Sequence, residues 1–264
     1  MKSRIAVFDS GMGGLSVLSE LQKLLPSFEY YYCLDNAFYP YGTKTEEELI
    51  QRLTTLLPVF VENCDARILV VACNTASTLA LEAIRSVVKI PVVGVVPAIK
   101  PAANFSQTRV IGLLATEATV RRKYTDSLIS DFAKDCELVR IGSRKLVEIA
   151  EAKMRGETIS LSEIASEIAP FFDHEKLDTI VLACTHFDHL KEEFEQLAPR
   201  SINWVSSAGA VAMRTKILAE ELGLKELDKT ENRLIGTQVS KLNLHTLSVL
   251  FKRYEFAFYQ TLIV

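Results

Sequence analysis

Cys73 closes the apolar run RILVVAC and is followed by Asn74, Thr75 and Ser77; Cys184 closes DTIVLAC and is followed by Thr185 and His186. The reactive form of cysteine is the thiolate, and a free thiol with a pKa of about 8.5 carries little of it at neutral pH. Both residues occupy the step at which a buried strand gives way to a helix. There, unpaired N–H groups and the positive end of the helix dipole favour the anion. The same edge of a parallel sheet, beyond the carboxyl ends of its strands, is where open α/β folds bind ligands. The polar residues that follow can cap a helix or hold a carboxylate. Cys33, Cys64 and Cys136 lack that placement and read as small buried hydrophobes.

Asp9 and Ser10 end another apolar run, RIAVFDS, and open onto the same edge. Gly11, Gly13 and Gly14 follow, and bare backbone there would let a ligand approach closely. The pattern GMGG is not GxGxxG and no Gly-Lys-Ser/Thr follows, so nucleotide binding is poorly supported. A phosphatase-type aspartyl nucleophile generally wants a second acid close by, and Gly11 stands two residues on. No GxSxG elbow is present.

The elements that must position these groups alternate between short apolar runs and longer amphipathic segments. RIAVFDS, EYYYCLD, RILVVAC and PVVGVV read as strands. GGLSVLSELQKLLP reads as a helix with Leu15, Leu18, Leu21 and Leu25 on one face. TEEELIQRLTTLLPVFVEN is helical, with Pro58 expected to kink or divide it. Such alternation implies a parallel sheet covered on both faces. After Pro101 the plan restarts: TRVIGLLATEAT matches RIAVFDSG in layout, with a helix beginning near Val120, and DTIVLACTHFD repeats RILVVACNTAS. Ser10 to Cys73 is 63 positions and Thr116 to Cys184 is 68, which points to an internal duplication. The tail from about Ser206 has no partner in this scheme.

The chain has 264 residues, 48% of them hydrophobic, which allows one large domain or two modest ones. With 30 basic and 33 acidic residues the net charge is −3; no basic stripe is visible, so nucleic acid is not an expected partner. No apolar run is long enough for a signal peptide or a membrane span. Five widely spaced cysteines without a CxxC pair fit a reduced, cytoplasmic protein, and argue against a disulfide framework or a zinc ribbon; no metal is expected.

The stretches FDSGMGGLSV (8–17), YPYGTK (39–44), VVACNTAS (70–77), PVVGVVPAIKPA (91–102), GLLATEATV (112–120) and VLACTHF (181–187) together resemble the aspartate/glutamate racemase superfamily. Within it, PAIKPA and IAEAKMRGE are similar to the enterobacterial glutamate racemases. The resemblance covers nearly the whole chain. It implies an α/β fold of two pseudo-symmetric, flavodoxin-like domains with mainly parallel sheets, residues 1–97 plus 206–264 and residues 98–205, with the active site in the cleft between them. It implies cofactor-independent interconversion of L- and D-glutamate, the D form supplying peptidoglycan synthesis. Carried over by motif position, Cys73 and Cys184 are the acid/bases on opposite faces of the α-carbon. Asp9 beside Cys73, and His186 with Glu151 near Cys184, assist proton transfer or orient the substrate. Asp9, Ser10, Tyr41, Gly42, Asn74, Thr75, Thr185 and His186 form the implied substrate-binding set, with Thr116 and Thr119 as further carboxylate ligands. A cell-wall precursor as activator and a homodimer are further partners the resemblance brings.

This sequence departs from the family at Asp188 and His189, where Pro and an apolar residue are common, and at Ser206 and Ala208 in WVSSAGA. Thr185-x-x-Asp188 fits a capping box, so a helix start is expected there. A carboxylate near Cys184 would raise that thiol's pKa. An aspartate or hydantoin racemase would keep both cysteines, and a non-catalytic partner of another enzyme stays open as a different class.

Overall fold

The computed structural model describes residues 3–238 and 243–264. Met1, Lys2 and residues 239–242, which the first expected domain includes, lie outside the described residues. The strands are β1 (Arg4–Asp9), β2 (Glu29–Leu34), β3 (Ile68–Val71), β4 (Val92–Gly94), β5 (Val110–Ala115), β6 (Glu137–Gly142), β7 (Thr179–Leu182), β8 (Asn203–Ser206), β9 (Asn232–Gly236) and β10 (Phe256–Thr261). The helices are α1 (Leu15–Leu24), α2 (Glu46–Cys64), α3 (Asn74–Val87), α4 (Ile99–Phe105), α5 (Glu117–Val120), α6 (Lys123–Phe132), α7 (Arg144–Met154), α8 (Leu161–Phe172), α9 (Lys191–Leu197), α10 (Ala208–Glu221) and α11 (Leu244–Tyr254).

Two sheets result, ordered β10-β9-β2-β1-β3-β4 and β6-β5-β7-β8. Every pairing among the described residues is parallel. β2-β1-β3-β4 and β6-β5-β7-β8 share one order, the flavodoxin-like one. The repeat extends to single hydrogen bonds. Ala72 N–H donates to the Phe8 carbonyl at 2.7 Å and Ala183 N–H to the Leu114 carbonyl at 2.8 Å. Asp35 N–H reaches Asp9 and Ser143 N–H reaches Ala115, both at 3.0 Å. Cys73 and Cys184 therefore lie one step past equivalent strands, as the matched Ala-Cys steps require.

Each half lends its last helix to the other. After β4, α4 packs on β7 and β8; after β8, α10 packs on α1, β3 and β4. The Ser207 hydroxyl donates to the Val96 carbonyl at 2.6 Å, tying the two crossovers together. Of the tail expected to have no partner, α10 is the counterpart of α4, and β9 and β10, which widen the first sheet to six strands, remain unmatched. Strands β1, β3, β5 and β7 carry apolar residues on both faces because helices cover both.

Three local expectations change. Pro58 does not divide α2, which is one helix from Glu46 to Cys64. It is started by a capping box, in which Thr45 Oγ1 accepts from Glu48 N–H and Glu48 accepts from Thr45 N–H. Its buried stripe of Leu49, Leu53, Leu56, Leu57 and Phe60 outweighs one lost hydrogen bond. The helix expected near Val120 begins earlier, as the single turn α5 capped by Thr116, and resumes as α6. Thr185 caps nothing: Phe187–Leu190 forms a short 3-10 turn with no side-chain cap, and the Thr185 hydroxyl is bonded to Asp9 instead.

Candidate active site

The carboxyl edges of both sheets face one cavity, walled by Ser10, Tyr39, Pro40, Tyr41, Gly42, Cys73, Asn74, Thr75, Thr116, Val147, Cys184, Thr185 and His186. Each half contributes its cysteine. The cavity measures about 30 Å³, room for about one water molecule. Both cysteines are 6% exposed, and all five in the chain are free thiols.

Cys73 sits at the N-cap position of α3. Ser10 Oγ approaches its sulfur at 3.7 Å. The Ala76 N–H and the Ser10 hydroxyl favour the thiolate, as the helix start suggests, but they lose to two opposing effects. Burial, followed by the neighbouring Asp9 carboxylate, pushes the Cys73 thiol up to about 12. At Cys73 the helix start favours the thiolate without deciding the balance, and the Asp9 carboxylate raises the thiol as a neighbouring negative charge must.

Asp9 is fully buried, and burial pushes its carboxyl up to about 6 against the pull of His186 and the hydrogen bonds from Gly11 and Thr185. Its Oδ1 accepts from Gly11 N–H at 2.8 Å and from Ser10 Oγ at 3.2 Å; its Oδ2 accepts from Thr185 Oγ1 at 3.0 Å. The first half's carboxylate is therefore held partly by the second half.

His186 lies 3.7 Å from Cys184 Sγ through Nδ1 and 2.8 Å from Glu151 Oε1 through Nε2. Burial works to lower the imidazole's pKa, but the hydrogen bonds to Cys184 and Glu151 hold it well above its ordinary value. Burial works to raise Glu151, yet the bond and charge of His186 keep that carboxyl below its ordinary range. The pair is an imidazolium–carboxylate, and the imidazolium donates to both neighbours. Glu151 Oε1 also accepts from Met12 N–H at 2.8 Å, across the cleft.

Sequence reasoning placed Gly11, Gly13 and Gly14 against a ligand; the structure places them against protein. A Cβ on Gly13 would stand 2.4 Å from His186 Nδ1, one on Gly11 2.5 Å from Glu151 Oε1, and one on Gly14 2.9 Å from both Asp9 and Ala72. Gly11 and Gly13 make room for Glu151 and His186 of the opposite half, and Gly14 lets α1 pack close to Asp9 and Ala72 of its own half. Thr119 is buried and faces Thr116, whose hydroxyl donates to it at 3.0 Å; it does not wall the cavity. Asp188 is turned from the cavity toward Ser16 and Ser206, where burial pushes it to about 7. His189, lowered to about 4 mainly by burial, is a neutral imidazole whose Nε2 meets the Gly13 carbonyl at 3.0 Å.

Tyr39, Pro40 and Val147 complete the wall without having been singled out. Val147 had a readable signal, since it precedes Glu151 by one turn of α7 and shares its face. Asn74 Oδ1 is buried with no hydrogen-bond partner, an acceptor left open on the cavity wall. Among the described residues no group of three or more His, Cys, Asp or Glu side chains is arranged to hold a metal ion. No described helix is long and apolar enough to cross a membrane.

Two thiols, one from each half, line a single cavity, Cys73 beside the Asp9 carboxylate and Cys184 beside the His186 imidazolium. The family model for Asp/Glu/Hydantoin racemase matches residues 14–215, and the chain belongs to that family. Its curated relatives carry a more particular name. The glutamate racemase of Pasteurella multocida is 47% identical over 234 residues, 89% of this chain and 87% of the relative. That of Pectobacterium atrosepticum is 44% identical over 253 residues, 96% and 88%. The crystal structure of Escherichia coli glutamate racemase in complex with L-glutamate and the activator UDP-MurNAc-ala superposes with a TM-score of 0.93 at 41% identity, covering 100% of this chain and 99% of that one.

Proposed function

We propose that the chain is a cytoplasmic glutamate racemase that interconverts L- and D-glutamate by two-base proton transfer between Cys73 and Cys184, without an organic cofactor, and so supplies D-glutamate for peptidoglycan. The observation that carries the mechanism is the pair of equivalent cysteines on one small cavity, one from each half. The substrate's Cα–H bond breaks toward one sulfur, which takes the proton, and the sulfur on the other face releases its own proton to the planar carbanion. The two start unequally. Cys73 keeps its proton, with a pKa near 12 in the closed site, whereas the Cys184 sulfur accepts from the His186 imidazolium. For one enantiomer Cys184 is the base and Cys73 the acid; the reverse reaction exchanges the roles.

Asn74 Oδ1 is an open acceptor suited to the substrate's ammonium. The Thr75 hydroxyl and the backbone N–H groups at Ser10, Thr75, Thr116, Thr185 and the Tyr41–Gly42 loop are the donors for its carboxylates. A cavity of about 30 Å³ is too small for glutamate, so residues 1–97 plus 206–264 and residues 98–205 act as two domains that part about the crossovers joined by Ser207 and Val96.

The test is incubation of each glutamate enantiomer in deuterated water, following optical rotation and deuterium at Cα, with aspartate as a comparison. The assays include UDP-MurNAc-Ala, the activator bound to the Escherichia coli relative, and we expect it to raise turnover here. Wild-type protein exchanges the α-proton without added cofactor, and Cys73→Ser and Cys184→Ser each abolish racemisation. A requirement for pyridoxal phosphate, or full activity in either variant, would overturn the mechanism; faster turnover of aspartate would overturn the substrate.

A further inference from the structure

Asp35 follows β2, is fully buried, and is not part of the cavity wall. Its carboxylate nonetheless has every acceptor position filled by donors from three elements. Oδ1 accepts from Arg52 Nη2 at 2.8 Å and from Thr237 Oγ1 at 2.6 Å. Oδ2 accepts from Arg52 Nε at 3.0 Å and from Tyr41 OH at 2.7 Å. The Asp35 carbonyl accepts from the Phe38 and Tyr39 N–H groups, each at 3.1 Å, and its own N–H extends the β1–β2 ladder to Asp9. One residue thus fixes the start of the loop, the phenol inside it, and its distance from α2 and from the end of β9. That loop carries Tyr39, Pro40, Tyr41 and Gly42, a whole wall of the substrate cavity. Phe38, edge-on to Tyr41 and under the Lys44 ammonium, fills the space between.

The internal repeat supports a positioning role. Ser143 occupies the equivalent place in the second half, and its hydroxyl caps α7, the helix bearing Val147 and Glu151. In both halves the residue one step past the second strand anchors an element of the active site.

We propose that Asp35 is the positioning residue of the substrate loop: by clamping Tyr41 and Arg52 it sets how far the Tyr39–Gly42 wall stands from the cysteines, and so which acidic side-chain length the site accepts. This rests on the racemase reading above. The phenol it holds stays protonated and a donor, since burial and Asp35 itself raise Tyr41 well above its ordinary value.

Tyr41→Phe removes one donor and leaves the Asp35–Arg52 pair and Thr237 intact; Asp35→Asn removes the charge that holds the guanidinium. The readouts are KM and kcat for glutamate, the kcat/KM ratio of glutamate to aspartate, and the melting temperature. In both variants we expect KM to rise several-fold, more than kcat falls, and the glutamate preference to drop roughly three- to tenfold. Should Asp35→Asn fail to fold, Tyr41→Phe alone decides. A folded Tyr41→Phe with unchanged KM and unchanged preference, whatever its melting temperature, would reduce Asp35 to a structural residue and overturn the inference. If wild-type protein does not turn over glutamate, the functional reading fails, and calorimetric binding of D-glutamate and D-aspartate to the same proteins then decides this one.

Discussion

At Gly13 the constraint is steric, because the missing Cβ is the space in which the His186 ring lies. An added methyl 2.4 Å from Nδ1 and 2.7 Å from Thr185 Oγ1 must move one of them. Both belong to the opposite half, and neither is the far end of a long flexible side chain. We expect Gly13→Ala to cost about 1–3 kcal/mol of stability from overpacking and to lower kcat/KM roughly 100-fold, because His186 loses its alignment with Cys184. Urea denaturation and initial rates check the two parts; a variant with wild-type kcat/KM would contradict the steric account. At this scale the sequence was only half legible. The cysteines, Asp9, His186 and Glu151 stood out because their chemistry belongs at strand ends and in the family's motifs. The purpose of Gly11 and Gly13 did not, since a gap in one half is explained only by a side chain from the other. The Thr185–Asp9 bond was hidden for the same reason: a T-x-x-D spacing looks like a local cap until a partner 176 positions away in sequence competes for the hydroxyl.

Elements were read most securely where burial on both faces leaves an unbroken apolar run, as in β1, β3, β5 and β7. They were misread where a local breaker met a strong tertiary contact. Pro58 lies inside α2, yet the helix continues, because its apolar stripe packs against the first sheet on both sides of the proline. The missing N–H still leaves the carbonyl four residues back without its helical donor. Pro58→Ala should therefore restore one backbone bond and stabilise the protein by about 1 kcal/mol or more, a rise of about 2–4 °C in Tm, with kcat/KM unchanged, since α2 presents this turn away from the cleft. A lower Tm would mean that the proline fixes a bend the packing requires. β9 and β10 had escaped notice because they join the first sheet from the far end of the chain. The exchange of α4 and α10 between halves is likewise a tertiary fact, set by which sheet each helix packs against.

For the whole molecule, the cleft sets activity against stability, and Asp9 is where the opposition can be measured. Its carboxyl rises from 3.8 to about 6 on folding, mainly through burial. A carboxyl whose folded value exceeds its unfolded one binds protons more tightly in the native state, so stability is lost as pH climbs from about 4 through about 6, and the ionised group remains a burden above that. Asparagine has the same shape, keeps an acceptor for the Gly11 N–H, and carries no charge. Asp9→Asn should therefore gain on wild type as pH rises, the difference widening by about 1–2 kcal/mol between about pH 4.5 and 7.5. Racemisation should fall in the same variant, and unequally in the two directions, because the charge that, after burial, raises the Cys73 thiol is gone. Urea unfolding of both proteins across this range, with rates from each enantiomer at neutral pH, reads the two effects separately. A stability difference that does not change with pH would mean that Asp9 is ionised at the same pH folded and unfolded, and that the cleft exacts nothing from the fold. The expected outcome for Asp9→Asn is a protein that is sturdier and slower, because the buried charge it loses is the one proposed to assist proton transfer at Cys73.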